Sequence, residues 1–261
     1  EGMVRHMVLN SIRLYNVKFG EKYGEMIIAC DDKNYWRKSI FPYYKAHRKA
    51  DREKSPLDWN NIFSILNKIR DELKETFPWK VIQVDTAEAD DIIATLCNRF
   101  GKTLKAEDDI DILIISGDKD FAQLQKYANV EQYSPVTKKW IRISNPESFL
   151  REHIMRGDRG DGVPNFLSAD NVIVVGARQK PLASKKIEKW VSLDPKDFCN
   201  EVMLRNYKRN ESLVNLALIP SAIVNQINEK YDNYKIPPKS GLLNYFIKNR
   251  LKLLMDKIGE F

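Results

Sequence analysis

Long apolar runs, cysteine and histidine are all scarce in this sequence. No apolar run reaches the roughly 18 residues that a membrane-spanning helix needs, and the amino-terminal residues lack the pattern of a signal peptide. The three cysteines (Cys30, Cys97 and Cys199) cannot all pair, and their spacing suits no zinc site. These absences exclude an integral membrane protein and a disulfide-bonded scaffold, and they predict a protein of a reducing, cytoplasmic compartment.

A net negative charge is also absent, although the chain of 261 residues carries 36 acids. Its 43 Lys and Arg residues give a formal net charge of +7. Eight of these basic residues lie between residues 33 and 54, against two acids, and aromatic residues are interleaved among them. Such a segment is commonly a solvated helix face beside core aromatics. It also suits single-stranded nucleic acid, and we favour that interpretation because acidic clusters follow in the sequence.

Segments typical of strands and helices alternate in the first part of the chain, which predicts an α/β fold with a largely parallel sheet. Beyond about residue 145 the strand-like segments stop. We therefore predict an α/β core over residues 1–150 and a mostly helical region over 151–261. The predicted segments are helices at 4–19, 58–77, 85–100 and 242–258, strands at 26–30, 81–84 and 110–115, a polar connection at 105–109 and a hairpin at 130–143.

Carboxylates collect in three places along the chain. Asp31, Asp118 and Asp120 follow strand-like runs, at the edge where open α/β sheets bind ligands. Further acids lie at a predicted helix start, 88–91, and in a glycine-rich turn, 157–162. Each cluster alone has an ordinary interpretation as loop, helix-capping or solvated acids. Together they would place eight carboxylates in one pocket, which requires cations to neutralise them.

The donor atoms of such a pocket predict its chemistry. Oxygen ligands without histidine or cysteine suit hard cations such as Mg²⁺ or Mn²⁺. Two such ions about 4 Å apart are the usual apparatus for hydrolysing phosphodiesters. A basic protein with an acidic, metal-binding pocket is therefore predicted to be a nuclease.

The same clusters carry a specific resemblance. The runs concerned are Glu88-Ala89-Asp90-Asp91, then Ser116-Gly117-Asp118-Lys119-Asp120-Phe121, then Gly157-Asp158-x-x-Asp161-x-Val163-Pro164. Their order and spacing resemble successive motifs of the 5′-nuclease (flap endonuclease) superfamily, most closely its ribonuclease H group from T-even bacteriophages. The resemblance implies a PIN-like α/β domain, a basic helical arch at 33–57 and a C-terminal DNA-binding region with a helix-hairpin-helix-like part.

The resemblance also implies the activity and its setting. We expect a structure-specific 5′→3′ exonuclease and flap endonuclease that uses two Mg²⁺ ions, with Mn²⁺ as a substitute. The implied substrates are forked or flap DNA and RNA–DNA hybrids, with removal of RNA primers during lagging-strand replication. A monomer in the host cytoplasm, away from membranes, is implied as well. The family context suggests contacts with a single-stranded-DNA-binding protein and a sliding clamp, although the sequence has no motif for either.

Site residues are carried over by position. The first metal is assigned Asp31, Glu88, Asp90 and Asp118, the second Asp120, Asp158 and Asp161, and Asp91 is expected to act through water. The expected catalytic residues are Asp31, Asp90 and Asp118 with Arg37 and Lys45. The expected nucleic-acid contacts are Arg37, Lys38, Tyr44, Lys45, Arg48 and Lys49 in the arch, and Lys185 and Lys186 for the duplex. Arg37 is placed nearest the scissile phosphate, where it would stabilise developing charge.

Two features depart from the family pattern. The family has a ligand aspartate at the end of its first strand, whereas residues 1–30 contain no aspartate. We therefore expect that an N-terminal segment of the natural protein is missing, and that the chain alone binds metal poorly and cleaves slowly. After Pro164, residues 165–180 contain only Gly176 in place of a glycine-rich, duplex-gripping hairpin.

Three alternatives stay open from the sequence. The chain could be a catalytically impaired module that holds forked DNA without cutting it. A Toprim-type enzyme also ends a strand with Asp-x-Asp, but it needs a glutamate after an earlier strand, where this chain has Asp31. A PIN-type ribonuclease would share the core but would not explain the long helical C-terminal region.

Overall fold

The computed structural model describes residues 1–104, 106 and 110–261, so most of the predicted polar connection at 105–109 lies outside the described residues. Helices alternate with short strands as far as β5, and helices follow. The first-half elements are α1 (Gly2–Tyr23), β1 (Ile27–Ala29), α2 (Arg37–Ile40), α3 (His47–Glu53), α4 (Trp59–Thr76), β2 (Lys80–Ile82), α5 (Ala89–Phe100), β3 (Ile112–Ile115), a 3₁₀ helix (Lys119–Lys126), β4 (Val130–Ser134) and β5 (Lys139–Ile141).

The helices of the second half are shorter on average and are separated by loops. They are α6 (Pro146–Arg156), α7 (Ser184–Trp190), α8 (Pro195–Phe198), α9 (Glu201–Val214), α10 (Ser221–Asp232), α11 (Leu242–Lys248) and α12 (Lys252–Met255), with short 3₁₀ turns at Lys239–Gly241 and Ile258–Glu260. The predicted final helix over 242–258 is wrong as one element, because Arg250, with φ of 55°, leaves the helical region between α11 and α12. None of the helices in the described part of the chain could span a membrane.

Local sequence signals account for α4. Asp58 caps the helix, because its Oδ1 accepts a hydrogen bond from the Asn61 N–H at 3.1 Å. The helix ends at Thr76, because Phe77 precedes Pro78 and a residue before proline disfavours the helical region. Its buried face, Ile69 and Leu73, packs into the core as the apolar periodicity predicts.

The strands form two small sheets. β1 and β2 are parallel, with Ile28 opposite Val81. β3 and β4 are also parallel, and β5 runs antiparallel to β4, with Tyr133 opposite Trp140. The largely parallel arrangement and the 130–143 hairpin are therefore confirmed.

Helix α5 begins at Ala89, so the predicted start at Asp85 or Thr86 is wrong. Thr86 has φ of 62°, which a helix cannot accommodate, and its N–H donates to Asp32 Oδ2 at 3.1 Å. Glu88 is the residue before the helix, and Asp91 Oδ2 accepts from the Glu88 N–H at 2.9 Å. Glu88 and Asp91 thereby point into the molecule as a reciprocal helix cap.

Residues from both sides of the predicted boundary near 150 meet in three of the four hydrophobic clusters. The largest cluster includes Ile92 of α5 and Ile227 of α10, and these two helices are in contact. In a second, Leu9 of α1 and Phe77 pack with Phe261. Burial of apolar surface between the two parts fixes α10 and the last residues of the chain against the α/β core.

Candidate active site

The loops after β1 and β3 meet at the start of α5. Asp31 follows β1, and its Oδ1 accepts from the Ala89 N–H at 2.7 Å. Asp118 follows β3 and caps the 3₁₀ helix, accepting from the Asp120 N–H at 3.0 Å. Helix α5 packs against both β1 and the 3₁₀ helix, so these loop carboxylates lie around its first turn.

A small cavity opens beside that turn. Its volume is about 10 Å³, which is close to the room that one water molecule needs. Four carboxylates from three parts of the chain line it: Asp90, Asp120, Asp158 and Asp161. The structure therefore brings together residues from all three acidic motifs. The remaining lining residues are Arg37, Tyr44, Val163, Leu213, Val214 and Leu216.

Asp90 shows the electrostatic consequence of this crowding. Burial, reinforced by the carboxylate of Asp118 and then by that of Glu88, raises the pKa of Asp90 to about 8. Carboxylates that cannot all ionise together are relieved when a cation enters. A bound cation would therefore favour the ionised form of Asp90.

Asp120 and Asp158 face a histidine that sequence reasoning missed. His153 Nε2 in the last turn of α6 lies 2.9 Å from Asp120 Oδ1 and 3.7 Å from Asp158 Oδ2. Lys119 Nζ lies 2.9 Å from Asp158 Oδ2. Burial acts against ionisation of Asp158, but the Lys119 ammonium holds the pKa of this carboxyl below its ordinary value. The one available sequence signal was the position of this histidine, five residues before Asp158.

Glu88 is surrounded by the protein's own cations. Its buried carboxylate accepts from Arg37 Nη1 at 2.8 Å, and the Lys45 ammonium contacts the other oxygen. Burial would raise the pKa of Glu88, yet Lys45 and Arg37 hold it below its ordinary value. Glu88 lies beside the cavity, but its two oxygens already have ion-pair partners.

The structure corrects the phosphate-contact prediction for Arg37. This residue is 2% exposed, and its guanidinium donates to Leu213 O, Glu88 and Asp91. The contact to Asp91 Oδ1 is 2.8 Å. Arg37 lines the cavity, but its donors are used inside the protein, where they tie α2 to α5 and α9.

Asp91 is likewise structural. Its side chain is fully buried and accepts from Arg37, from Trp36 Nε1 at 2.9 Å and from the Glu88 backbone N–H. The expected water-mediated role of Asp91 at a metal is therefore wrong, because its lone pairs are taken by protein donors that fix the start of α5.

Tyr44 also departs from its predicted role in base stacking. Its ring is buried beside Phe41 and Leu213, so neither face is available to a base. The hydroxyl lies 2.9 Å from Asp161 Oδ2 and 3.0 Å from Glu88 Oε2. Tyr44 joins the arch segment to two acidic motifs instead.

Asp161 is held by groups of the arch segment. Arg48 Nη2 donates to Asp161 Oδ1 at 2.6 Å, and Lys45 Nζ lies 3.6 Å away. The Lys45 backbone N–H donates to Asp161 O at 2.7 Å. Burial raises the pKa of Asp161 above its ordinary value, against the effect of these cations. Residues 44–48 and the turn 158–163 therefore form one ion-paired unit.

The other predicted nucleic-acid contacts are accessible. Lys38 and Lys49 of the arch are exposed, and the Arg48 side chain is 41% exposed despite its ion pair. Lys185 and Lys186 lie on the exposed face of α7. Lys38, Lys49, Lys185 and Lys186 thus present their charges to solvent, whereas the Arg48 guanidinium is already paired with Asp161.

Comparisons with known proteins agree with this architecture. A model of the 5′–3′ exonuclease N-terminal, resolvase-like domain matches residues 3–153, and a model of the T4 RNase H C-terminal domain matches residues 145–261. The ribonuclease H of Enterobacteria phage T4 is 36% identical over 270 aligned positions, covering 99% of this chain and 87% of that protein. The flap endonuclease Xni of Shewanella sp. (strain MR-4) is 32% identical over 148 residues, 54% of this chain and 51% of its own length.

Solved structures with the same fold include two from phage T5. A T5 protein co-crystallised with metal ions superposes with a TM-score of 0.58 at 16% identity, covering 85% of this chain and 91% of its own. A T5 flap endonuclease in a complex with DNA and metal ions also has a TM-score of 0.58, with 85% and 89% covered. The chain therefore belongs to the 5′–3′ exonuclease family of metal-dependent nucleases, with a C-terminal region of the phage ribonuclease H type.

Proposed function

We propose that the protein hydrolyses phosphodiester bonds at 5′ flaps and forks of DNA and in RNA–DNA hybrids, removing RNA primers during replication. The observation that carries this proposal is the cavity in which Asp90, Asp120, Asp158 and Asp161 meet. Relatives named for ribonuclease H and flap endonuclease activity support the substrate class.

The acidic residues fit divalent cations. Asp90, with its raised pKa, is a carboxyl that gains from a positive partner, and the carboxylate oxygens suit Mg²⁺ or Mn²⁺. Asp31, Asp90 and Asp118 would hold a first ion, and Asp120 and Asp158 a second. When bound, such ions lower the pKa of water and stabilise charge on the phosphate.

The roles of the remaining residues follow from their contacts. Glu88 and Asp161 use their carboxylates to bind Lys45, Arg48 and Tyr44, so they position the arch over the cavity. Lys45 pairs with both of these acids, and it would complete the charge balance around a phosphate. Arg37 and Asp91 hold the start of α5, and hence Asp90, in place.

We assign contact with the substrate to accessible basic side chains. Lys38, Arg48 and Lys49 would steer a single-stranded 5′ arm, while Lys185 and Lys186 would contact duplex phosphates. Such contacts are electrostatic and weaken steeply with salt. We further propose that the enzyme acts as a monomer. At the fork it would contact a single-stranded-DNA-binding protein and a sliding clamp.

Cleavage of a labelled 5′-flap DNA by the full-length protein, with Mg²⁺ or with EDTA, tests the proposal. We expect Mg²⁺-dependent release of the flap and a loss of at least about a hundredfold in the double variant Asp118→Asn plus Asp120→Asn. The exposed Asp256→Asn serves as a matched control with unchanged rate. Cleavage in EDTA, or undiminished cleavage by the double variant, would contradict it. Tight flap binding without cleavage would instead support the DNA-holding module.

A further inference from the structure

The last turn of α6 directs a histidine toward the acidic cavity. His153 is 6% exposed, and its ring stacks on that of Phe149 with centroids 6.1 Å apart. Helix α6 packs on the 3₁₀ helix that carries Asp120. Gly157 ends α6 with φ of 67°. The chain turns there, and the Asp158 carboxylate lies close to the His153 ring.

The polar atoms of His153 and Asp120 lie at ion-pair distance from each other. Nε2 and Oδ1 lie 2.9 Å apart, yet both are buried without a hydrogen-bond partner among the described residues. Buried polar atoms without partners are rare and call for an explanation. Two such atoms lie together here, and Asp158 Oδ2 lies 3.7 Å from the same nitrogen, an arrangement that suits ligands of one shared ion.

A third donor completes the arrangement. One ligand atom from each of Asp120, His153 and Asp158 lies within 4.8 Å of the other two. Lys119 Nζ, at 2.9 Å from Asp158 Oδ2, is the competing cation. Its side chain is 55% exposed, so it can turn into solvent when an ion binds.

We infer that His153 Nε2 is a ligand of the second metal ion, which makes this site a mixed nitrogen and oxygen site of Asp120, His153 and Asp158. The inference rests on the proposed function, because it adds a ligand to the same nuclease centre. Imidazole nitrogen favours first-row transition ions over Mg²⁺. The site therefore prefers Mn²⁺, and three protein ligands leave positions for phosphate or water.

Pulsed electron paramagnetic resonance of Mn²⁺ bound to the protein tests this assignment without any cleavage. Histidine nitrogen in the coordination sphere gives a hyperfine coupling that carboxylates cannot give. The chain has three histidines, so His6→Asn and His47→Asn are matched controls. We expect the coupling in the wild type and both controls, and its loss in His153→Asn with at least about tenfold weaker Mn²⁺ binding.

A second variant gives a result that misfolding cannot imitate. Lys119→Met removes the competing ammonium and should strengthen Mn²⁺ binding in an isothermal titration. Absence of the nitrogen coupling in the wild type, or its survival in His153→Asn, would overturn the assignment. Nitrogen coupling without flap cleavage would overturn the proposed function alone, and Mg²⁺-dependent cleavage without the coupling would overturn the histidine ligand alone.

Discussion

Asp90 lies in the first turn of α5, where the helix dipole ordinarily favours an ionised carboxylate. Burial and the neighbouring Asp118 outweigh that effect and raise its pKa to about 8. At neutral pH the metal-free protein therefore keeps a proton on Asp90. A divalent ion would displace that proton, so metal binding and proton release are linked at this residue.

This shift predicts how stability depends on pH in EDTA. The unfolded chain has a pKa near 3.9 at such a residue, so between about pH 4 and pH 8 the folded state binds more protons. Its stability contribution is complete at low pH and declines as pH rises toward 8. We expect Asp90→Asn, which stays neutral, to be more stable than the wild type at pH 8.5 by at least about 1 kcal/mol.

Urea unfolding at pH 5 and pH 8.5 measures this difference, with the exposed Asp256→Asn as the control. The gap between Asp90→Asn and the wild type should widen with pH. A gap that is the same at both pH values would contradict the pKa argument.

Arg37 stabilises the fold through its buried ion pairs. Arg37→Met would leave Glu88 and Asp91 buried without their guanidinium partner, and we expect a loss of about 3–5 kcal/mol. Lys38→Met, at the next and exposed position, should change stability by less than about 0.5 kcal/mol. Chemical denaturation compares the two. Equal stability of both variants, with cleavage lost only in Arg37→Met, would restore the phosphate-contact prediction.

At the scale of elements, periodicity and capping signals predicted most of the architecture. Helix α4 follows from Asp58 and its apolar stripe, and the β4–β5 hairpin from its turn at Ser134 and Pro135. The start of α5 could not be predicted, because Thr86 takes its positive φ while bonded to Asp32, a contact across 54 positions. At the break between α11 and α12, Arg250 takes a positive φ and the Leu251 N–H donates to Phe246 O, which ends α11.

The arch segment contacts the turn 158–163, and a methyl group added at Gly162 should weaken that contact. A Cβ at Gly162, where φ is 75°, would lie 2.9 Å from Tyr43 O and 3.1 Å from His47 Nδ1. Gly176 has a similar φ of 69° with open space around it. Both alanine variants carry the left-handed backbone cost of about 1 kcal/mol, but only Gly162→Ala also meets neighbouring atoms.

The rate of limited trypsin digestion measures how firmly this contact holds the arch segment. We expect faster cleavage after Lys45, Arg48 and Lys49 in Gly162→Ala than in Gly176→Ala. Equal protection of these sites in the two variants would show that the contact with Tyr43 and His47 does not hold the arch.

At the scale of the whole molecule, the sequence identified the convergent carboxylates but not their partners. The acids could be recognised because their spacing matches known motifs. The pairing of Arg37 with Asp91 and of Tyr44 with Asp161 joins residues 54 and 117 positions apart, which no local pattern encodes. For the same reason, residues predicted to contact nucleic acid proved to hold the arch against the core.

The last residue of the chain packs into the hydrophobic cluster that contains Phe77 and Phe246. Phe261 is 1% exposed, with ring centroids 5.7 Å from Phe77 and 5.1 Å from Phe246. We expect Phe261→Ala to cost about 3–5 kcal/mol, because a large ring is removed from a packed site. Leu253→Ala, at a position that is 78% exposed, is the control with little change. Thermal unfolding compares them, and similar midpoints would contradict this packing.

The central claim is that the carboxylates around Asp90 form a divalent-metal site. Anomalous diffraction from crystals soaked in Mn²⁺ tests it most directly, since it locates the ion without any assay of cleavage. The account predicts anomalous density among Asp90, Asp118 and Asp120, and between Asp120 and Asp158. Mn²⁺ bound elsewhere, with Lys45 and Lys119 still paired to Glu88 and Asp158 and no density in the cavity, would contradict it.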